Sequence, residues 1–156
     1  MTNHAVVHAT FTLERTYPVP PSRVFLAWAN PESKRRWFAG DDADHQLDFR
    51  VGGREVNYGR HDGVRLTFES FYRDIVADER IVYTSVLSQD DRPATVSLTT
   101  VELYAAADST RLILTEQGAF LDDLEQAAWR EQGTGDWLDA LGVELGITSK
   151  GRADRS

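Results

Sequence analysis

Apolar and polar residues alternate along most of the middle of the chain, which is the period of a β-strand with one buried face. The first such stretch covers residues 8–17, where Phe11 and Leu13 alternate with threonine and glutamate. Six more stretches follow, separated mostly by short turn sequences: residues 45–51, 54–60, 64–76, 79–88, 95–105 and 110–118. Because the connections are short, neighbouring strands are predicted to pair in the antiparallel sense.

Two short helices are predicted between the first strand and the second. The prolines of residues 18–21 end the strand, and an apolar stripe of helical period follows at Val24, Phe25 and Trp28. Asn30 and Pro31 are typical of the N-cap and the first position of a second helix, which is predicted to end near Gly40.

A third helical segment is predicted at the C-terminal end. It is expected to begin at residues 121–124 and to be interrupted by the Gly-Thr-Gly sequence at 133–135, because glycine disfavours a helix interior. An amphipathic stripe then follows at Trp137, Leu138, Leu141 and Leu145. The element order predicts an α+β fold, with helices on one side of an antiparallel sheet.

Composition fits one soluble globular domain, predicted to span residues 1–148, with a flexible tail at 149–156. The formal net charge of −8 gives no general attraction for nucleic acids or anionic membranes. The sequence has no apolar run of bilayer length and no secretory leader pattern, so a cytoplasmic protein without a membrane partner is predicted. The lack of cysteine excludes disulfides, a thiol nucleophile and cysteine-type zinc sites.

Several short sequences follow one another in a characteristic order between residues 8 and 146: 17–25, 28, 30–31, 36–38, 51–54, 78–83, 110–118 and 137–145. Together they resemble the START/Bet v 1-like (SRPBCC) superfamily, and within it the branch named for the activator of the heat-shock-protein-90 ATPase. Bacterial members of this branch are often labelled polyketide-cyclase-like. The resemblance implies a helix-grip fold, in which a curved antiparallel sheet of six to seven strands wraps a long C-terminal helix. It also implies a cavity between sheet and helix for a small hydrophobic or amphipathic ligand.

Two carboxylates are candidates for catalysis inside such a cavity. Glu55 and Asn57 share one face of a predicted strand, and Glu116 shares a face with Leu112 and Leu114. A carboxyl group in an apolar pocket is expected to have a raised pKa and to act as a general acid or base. The alternatives are that Glu55 faces water and that Glu116 is solvated or paired with an arginine.

Aromatic residues are numerous enough to line a cavity or to fill a closed core. In the implied fold, the second helix and the long helix frame the cavity entrance. We therefore predict these ligand-binding aromatic residues, together with Asn57: Trp37, Phe38, Phe68 and Trp137.

No metal site or cofactor is predicted. His45 follows an acidic run whose spacing matches no known metal-binding loop, and it is expected to lie in a solvated loop. His61 precedes Asp62 and Gly63 in a predicted hairpin turn. The sequence also lacks the glycine spacing of phosphate loops and the Gly-x-Ser-x-Gly pattern of serine hydrolases.

Three functions remain open at this point. The first is binding of a small hydrophobic molecule. The second is an enzyme of the cyclase, dehydratase or hydrolase type that uses Glu55 or Glu116, and the third is a co-chaperone-like or regulatory interaction module. An exposed strand edge or the long helix would allow a homodimer.

Overall fold

Seven β-strands form one antiparallel sheet in the computed structural model, which describes residues 4–40 and 44–146. The strands are β1 (Val6–Tyr17), β2 (Asp44–Leu47), β3 (Arg54–His61), β4 (Val64–Val76), β5 (Arg80–Gln89), β6 (Arg92–Ala106) and β7 (Ser109–Leu121). Their order in space is β1-β7-β6-β5-β4-β3-β2, so β1 and β2 are the edges. The predicted tail at 149–156 and the acidic residues at 41–43 lie outside the described residues.

Tight turns between β3 and β4 and between β5 and β6 set the register of the sheet. Asp62 and Gly63 have φ angles of 53° and 79°, and Asp90 and Asp91 have φ angles of 47° and 70°. Two successive residues in the left-handed region match the right-handed twist of the paired strands. These turns keep alternate residues of long strands on one buried face, as the sequence pattern predicted.

Helices α1 (Pro21–Ala29) and α2 (Pro31–Lys34) follow β1, and α2 continues as one π-helical turn, Arg35–Ala39. The predicted cap is present, since the Asn30 side chain accepts a hydrogen bond of 3.0 Å from the Ser33 backbone N–H. Gly40 then ends the helix with a φ of 91°. Lys34 at the end of α2 is buried beside the sheet, and so are Trp37 and Phe38 of the π-helical turn. This segment therefore contributes side chains to the site.

Helix α3 (Ala127–Glu144) is continuous, which corrects two predictions. It begins later than residues 121–124, because β7 runs to Leu121 and both Asp122 and Asp123 have φ angles of 57°, outside the helical region. The glycines at 133 and 135 also do not interrupt it. A Cβ atom at Gly135 would lie 3.2 Å from Arg15 Nη2, so this glycine lets the helix pass close to β1.

The core lies between the concave face of the sheet and the three helices. It combines strand residues such as Tyr72, Ile81 and Leu112 with Leu138 and Leu141 of α3. This is the predicted helix-grip arrangement. Among the described residues, none of the helices combines the length and the apolar character that a bilayer-spanning helix requires.

Candidate functional site

A cavity of about 260 Å³ lies between strands β3 to β5 and helix α3. Its apolar wall is formed by Phe38, Leu66, Phe68, Leu87, Trp129 and Trp137. Two glycines, Gly59 of β3 and Gly133 of α3, also line it and leave space that side chains would otherwise fill. Trp129 has 61% of its surface exposed, so its indole marks the side of the cavity that meets solvent.

Three aromatic rings form a continuous apolar surface in this cavity. The ring centroids of Phe38 and Trp137 are 4.4 Å apart, and each lies 5.8 Å from the centroid of Phe68. The rings come from the π-helical turn, β4 and α3, so three elements meet here. Tilted and edge-on contacts at these distances are favourable for aromatic pairs.

Four of the five predicted ligand-binding residues line the cavity: Phe38, Asn57, Phe68 and Trp137. The fifth, Trp37, is absent from the lining and belongs to the closed core. Its indole N–H donates a 2.9 Å hydrogen bond to the Ala27 carbonyl, and its ring lies 4.9 Å from that of Trp28. Helix geometry explains the difference, because adjacent positions on a helix point in different directions.

The polar wall of the cavity is built around Arg130 of α3. Its guanidinium donates to both carboxylate oxygens of Glu125, at 3.2 and 3.1 Å, and to Glu116 at 2.7 Å. Glu116 also accepts from the Thr99 hydroxyl, and Glu125 accepts from the Thr95 hydroxyl. These charged groups therefore satisfy one another's hydrogen-bonding capacity. Glu116 is buried and paired with an arginine, which is one of the alternatives that the sequence left open.

Two polar atoms of the cavity-lining residues have no hydrogen-bond partner among the described residues. They are Asn57 Oδ1 on β3 and Thr134 Oγ1 on α3. Thr134 is only 1% exposed. An unsatisfied buried polar atom carries a desolvation cost of about 1–3 kcal/mol, so such atoms are uncommon in folded proteins.

A second buried cluster surrounds Glu55, which faces inward. Glu55 Oε1 accepts from Lys34 Nζ at 3.0 Å and from the Tyr72 hydroxyl at 2.5 Å, and Oε2 lies 2.7 Å from His45 Nε2. The side chains of Lys34, Glu55 and His45 are each at most 3% exposed.

The ammonium group of Lys34 also lies against aromatic rings. Its Nζ is 4.8 Å from the ring centroid of Trp28, 5.4 Å from that of Trp37 and 4.7 Å from that of Phe38. Cation–π contacts of this kind are worth more when the cation is desolvated. Burial lowers the pKa of Lys34, and attraction to Glu55 opposes that shift.

The environment of Glu55 keeps its carboxylate ionised. Burial by itself would raise the pKa, but attraction to Lys34 and hydrogen bonds from His45, Tyr72 and Lys34 outweigh burial and lower the pKa of Glu55 to about 2. The raised pKa expected for Glu55 in an apolar pocket was therefore wrong. Apolar rings surround the cluster, but the carboxylate itself has three polar partners.

The two candidate carboxylates belong to different clusters and make no hydrogen bond to each other. A row of inward-facing residues, Tyr72, Tyr83 and Thr99, runs across β4, β5 and β6 between them. Burial raises the pKa of the Tyr83 hydroxyl, and the negative charges of Glu116 and Glu55 raise it further.

Sequence reasoning missed Lys34, His45 and Arg130. Lys34 belongs to a short basic run that resembles a solvated surface, whereas the structure buries it at the end of α2. His45 was expected in a solvated loop. It lies instead on edge strand β2, where its side chain contacts Glu55 of β3. One sequence feature could have indicated this contact. Alternate residues of a strand share a face, so inward-facing residues of the neighbouring strands β2 and β3 lie close together.

A family model described as activator of Hsp90 ATPase homolog 1-like protein matches residues 18–146. The chain belongs to this family. That membership confirms the resemblance indicated by the sequence motifs. It accounts for the fold, whereas a function has to be inferred from the residues of the site.

Solved structures of other proteins have the same fold. A protein from Rhizobium leguminosarum is 39% identical, with a TM-score of 0.89 over 94% of this chain and 100% of that one. Mll3558 from Rhizobium loti is 47% identical, with a TM-score of 0.85 over 90% and 99%. CV1439 from Chromobacterium violaceum, 24% identical with a TM-score of 0.71 over 87% and 96%, shares the fold. No curated protein matches the chain significantly.

Proposed function

We propose that the chain binds a small apolar or amphipathic molecule in the cavity between the sheet and α3. The observation that carries this proposal is a cavity with a continuous wall of three aromatic rings and two unpartnered polar atoms in its lining residues. Concave, mostly apolar sites with a few polar groups are the usual form of small-molecule sites. Affinity would come mainly from removing ligand carbon from water.

The cavity volume limits the size of the ligand. A cavity of about 150 Å³ takes up benzene, and drug-sized ligands occupy about 300–1,000 Å³. The value of about 260 Å³ lies between these limits and fits a molecule of one or two rings. A naphthalene derivative is therefore a suitable probe.

Binding is favoured over acid–base catalysis by the positions of the two candidate carboxylates. Neither Glu55 nor Glu116 lines the cavity, and each is held by a buried cation. A general acid must hold its proton near the working pH, and the lowered pKa of Glu55 opposes this.

Gly133 offers a direct test of binding. It lines the cavity, and apart from neighbouring atoms of its own helix no atom lies within 4 Å of the position that a Cβ would take. A leucine here fills the cavity, and it favours the helix by nearly 1 kcal/mol relative to glycine. We expect the Gly133→Leu variant to stay folded and to bind 2-naphthol at least about tenfold more weakly than the unchanged protein.

The measurement is a ligand-observed NMR titration with 2-naphthol. The matched control is Glu131→Leu, which adds a leucine two residues away at an exposed position of the same helix. The control should bind like the unchanged protein. Equal binding by Gly133→Leu, or no binding by the unchanged protein, contradicts the proposal.

A further inference from the structure

The charged groups beside the cavity form ion pairs with one another. Within the described residues, the three hydrogen bonds of the Arg130 guanidinium go to carboxylates, and Glu116 and Glu125 each accept a hydrogen bond from a threonine hydroxyl in addition. Two carboxylates and one guanidinium leave a formal charge of −1 in this cluster. A carboxylate ligand would therefore enter without a cation to pair with it, and burying an unpaired charge is costly.

A cationic ligand meets a different obstacle. The Arg130 guanidinium lies 5.6 Å from the Phe68 ring centroid, so a positive charge already faces the aromatic wall. The oxygens of Glu125 that would attract a cation accept hydrogen bonds from Arg130 and Thr95. An ammonium ligand that approached Glu125 would lie beside the Arg130 guanidinium, and repulsion between the two positive charges opposes its binding.

The groups left without partners are neutral. The Asn57 amide can turn about its soft terminal torsion, and a helical threonine such as Thr134 has two accessible rotamers. Both side chains belong to the lining, on opposite walls formed by β3 and α3. A ligand hydroxyl donates one hydrogen bond and accepts others, so it can satisfy an amide and a hydroxyl together.

We propose that the ligand is an uncharged one- or two-ring molecule with a hydroxyl group that hydrogen-bonds Asn57 and Thr134. This inference rests on the proposed function and adds the charge and the polar group of the ligand. Asn57 and Thr134 act as specificity-determining residues, and the Arg130 cluster excludes charged analogues.

Four probes of similar size test this inference: 2-naphthol, naphthalene, 2-naphthoate and 2-naphthylmethylammonium. Calorimetric or NMR titration at neutral pH should give the tightest binding for 2-naphthol. We expect naphthalene to bind about tenfold more weakly, because a hydrogen bond is lost. Both charged probes should bind at least about tenfold more weakly than 2-naphthol.

Variants connect this preference to the two residues. Thr134→Val keeps the shape of the side chain, and Asn57→Leu keeps its approximate size, so each should reduce the affinity for 2-naphthol towards that for naphthalene. Ser97 is a matched control, because its hydroxyl also lacks a partner but Ser97 does not line the cavity. Ser97→Ala should leave the preference unchanged.

The outcomes separate this inference from the proposed function. Binding of naphthalene or of a charged probe as tight as that of 2-naphthol overturns the inference and leaves the binding site in place. A preference for 2-naphthol that survives in both Thr134→Val and Asn57→Leu also overturns it. Failure of all four probes to bind overturns both proposals.

Discussion

Lys34 and Glu55 form a buried ion pair whose cost is offset by specific contacts. Desolvation of two charges can exceed their mutual attraction, so such a pair needs further hydrogen bonds. Here Tyr72 and His45 supply them to the carboxylate, and aromatic rings surround the ammonium. Because Phe38 is one of these rings and also lines the cavity, the pair helps to hold the cavity wall in place.

The Glu55→Gln variant should be strongly destabilised. It leaves the Lys34 ammonium buried without a counter-charge, a change that costs about 3–5 kcal/mol. The double variant Lys34→Met/Glu55→Gln should recover part of that loss, because no unpaired charge remains. The free energy of unfolding is measured in urea by circular dichroism.

Glu14→Gln is the control for this prediction, since Glu14 pairs with Arg111 at the surface of the sheet. Exposed ion pairs contribute little to stability, so the control should unfold like the unchanged protein. A loss for Glu55→Gln no larger than that of Glu14→Gln would show that the buried pair is not structurally important.

At the scale of residues, the sequence predicted which side chains share a strand face, but not their chemistry. Alternation grouped Glu55 with Asn57 and Glu116 with Leu112 and Leu114, because side chains two apart lie on the same face of a strand, and it left open which face was buried. The partners of these residues come from helices and an edge strand that are distant in sequence. Their protonation could not be predicted, since it depends on those contacts.

At the scale of elements, α3 forms one wall of the cavity and packs against β1. Two of its glycines have different surroundings: Gly133 faces open space, whereas Gly135 lies against Arg15 and Leu13 of β1. The Arg15 side chain is held by Asp139 at 2.9 Å. One glycine therefore provides volume to the cavity, and the other permits close packing.

Alanine substitutions should distinguish the two glycines. Gly133→Ala should stabilise the protein by about 1 kcal/mol, because alanine favours a helix and meets no other atom. Gly135→Ala gains the same helix preference, but its Cβ would lie 3.2 Å from Arg15 Nη2, so the net gain should be smaller or reversed. Thermal unfolding measures the difference, and equal gains would contradict this description of the packing.

Strands were easier to predict than the helix boundaries. Seven predicted stretches correspond to seven strands, although the second, predicted at residues 45–51, is the shorter β2 at Asp44–Leu47. Helix α3 contains the unfavourable sequence Gly133 to Gly135, and local propensity predicts a break there. The break does not occur, since packing on the sheet and close approach to β1 outweigh the propensity.

At the scale of the whole molecule, the sheet wraps around α3 without filling the space between them. Three kinds of group meet in this space: the aromatic rings of three elements, the neutral groups of Asn57 and Thr134, and the internally paired charges around Arg130. The element order and the family resemblance predicted that a cavity would be present. Its size and its unpartnered atoms depend on side-chain packing and could not be predicted from sequence.

The most direct test of ligand binding is a proton–nitrogen NMR spectrum of the labelled protein titrated with 2-naphthol. We expect chemical shift changes at the amides of Gly59 and Gly133 and at the indole N–H of Trp137, all of which line the cavity. The exposed residues Val96 and Leu98 on the outer face of the sheet should not change. Changes confined to that outer face, or no changes at saturating probe, would contradict a binding site between the sheet and α3.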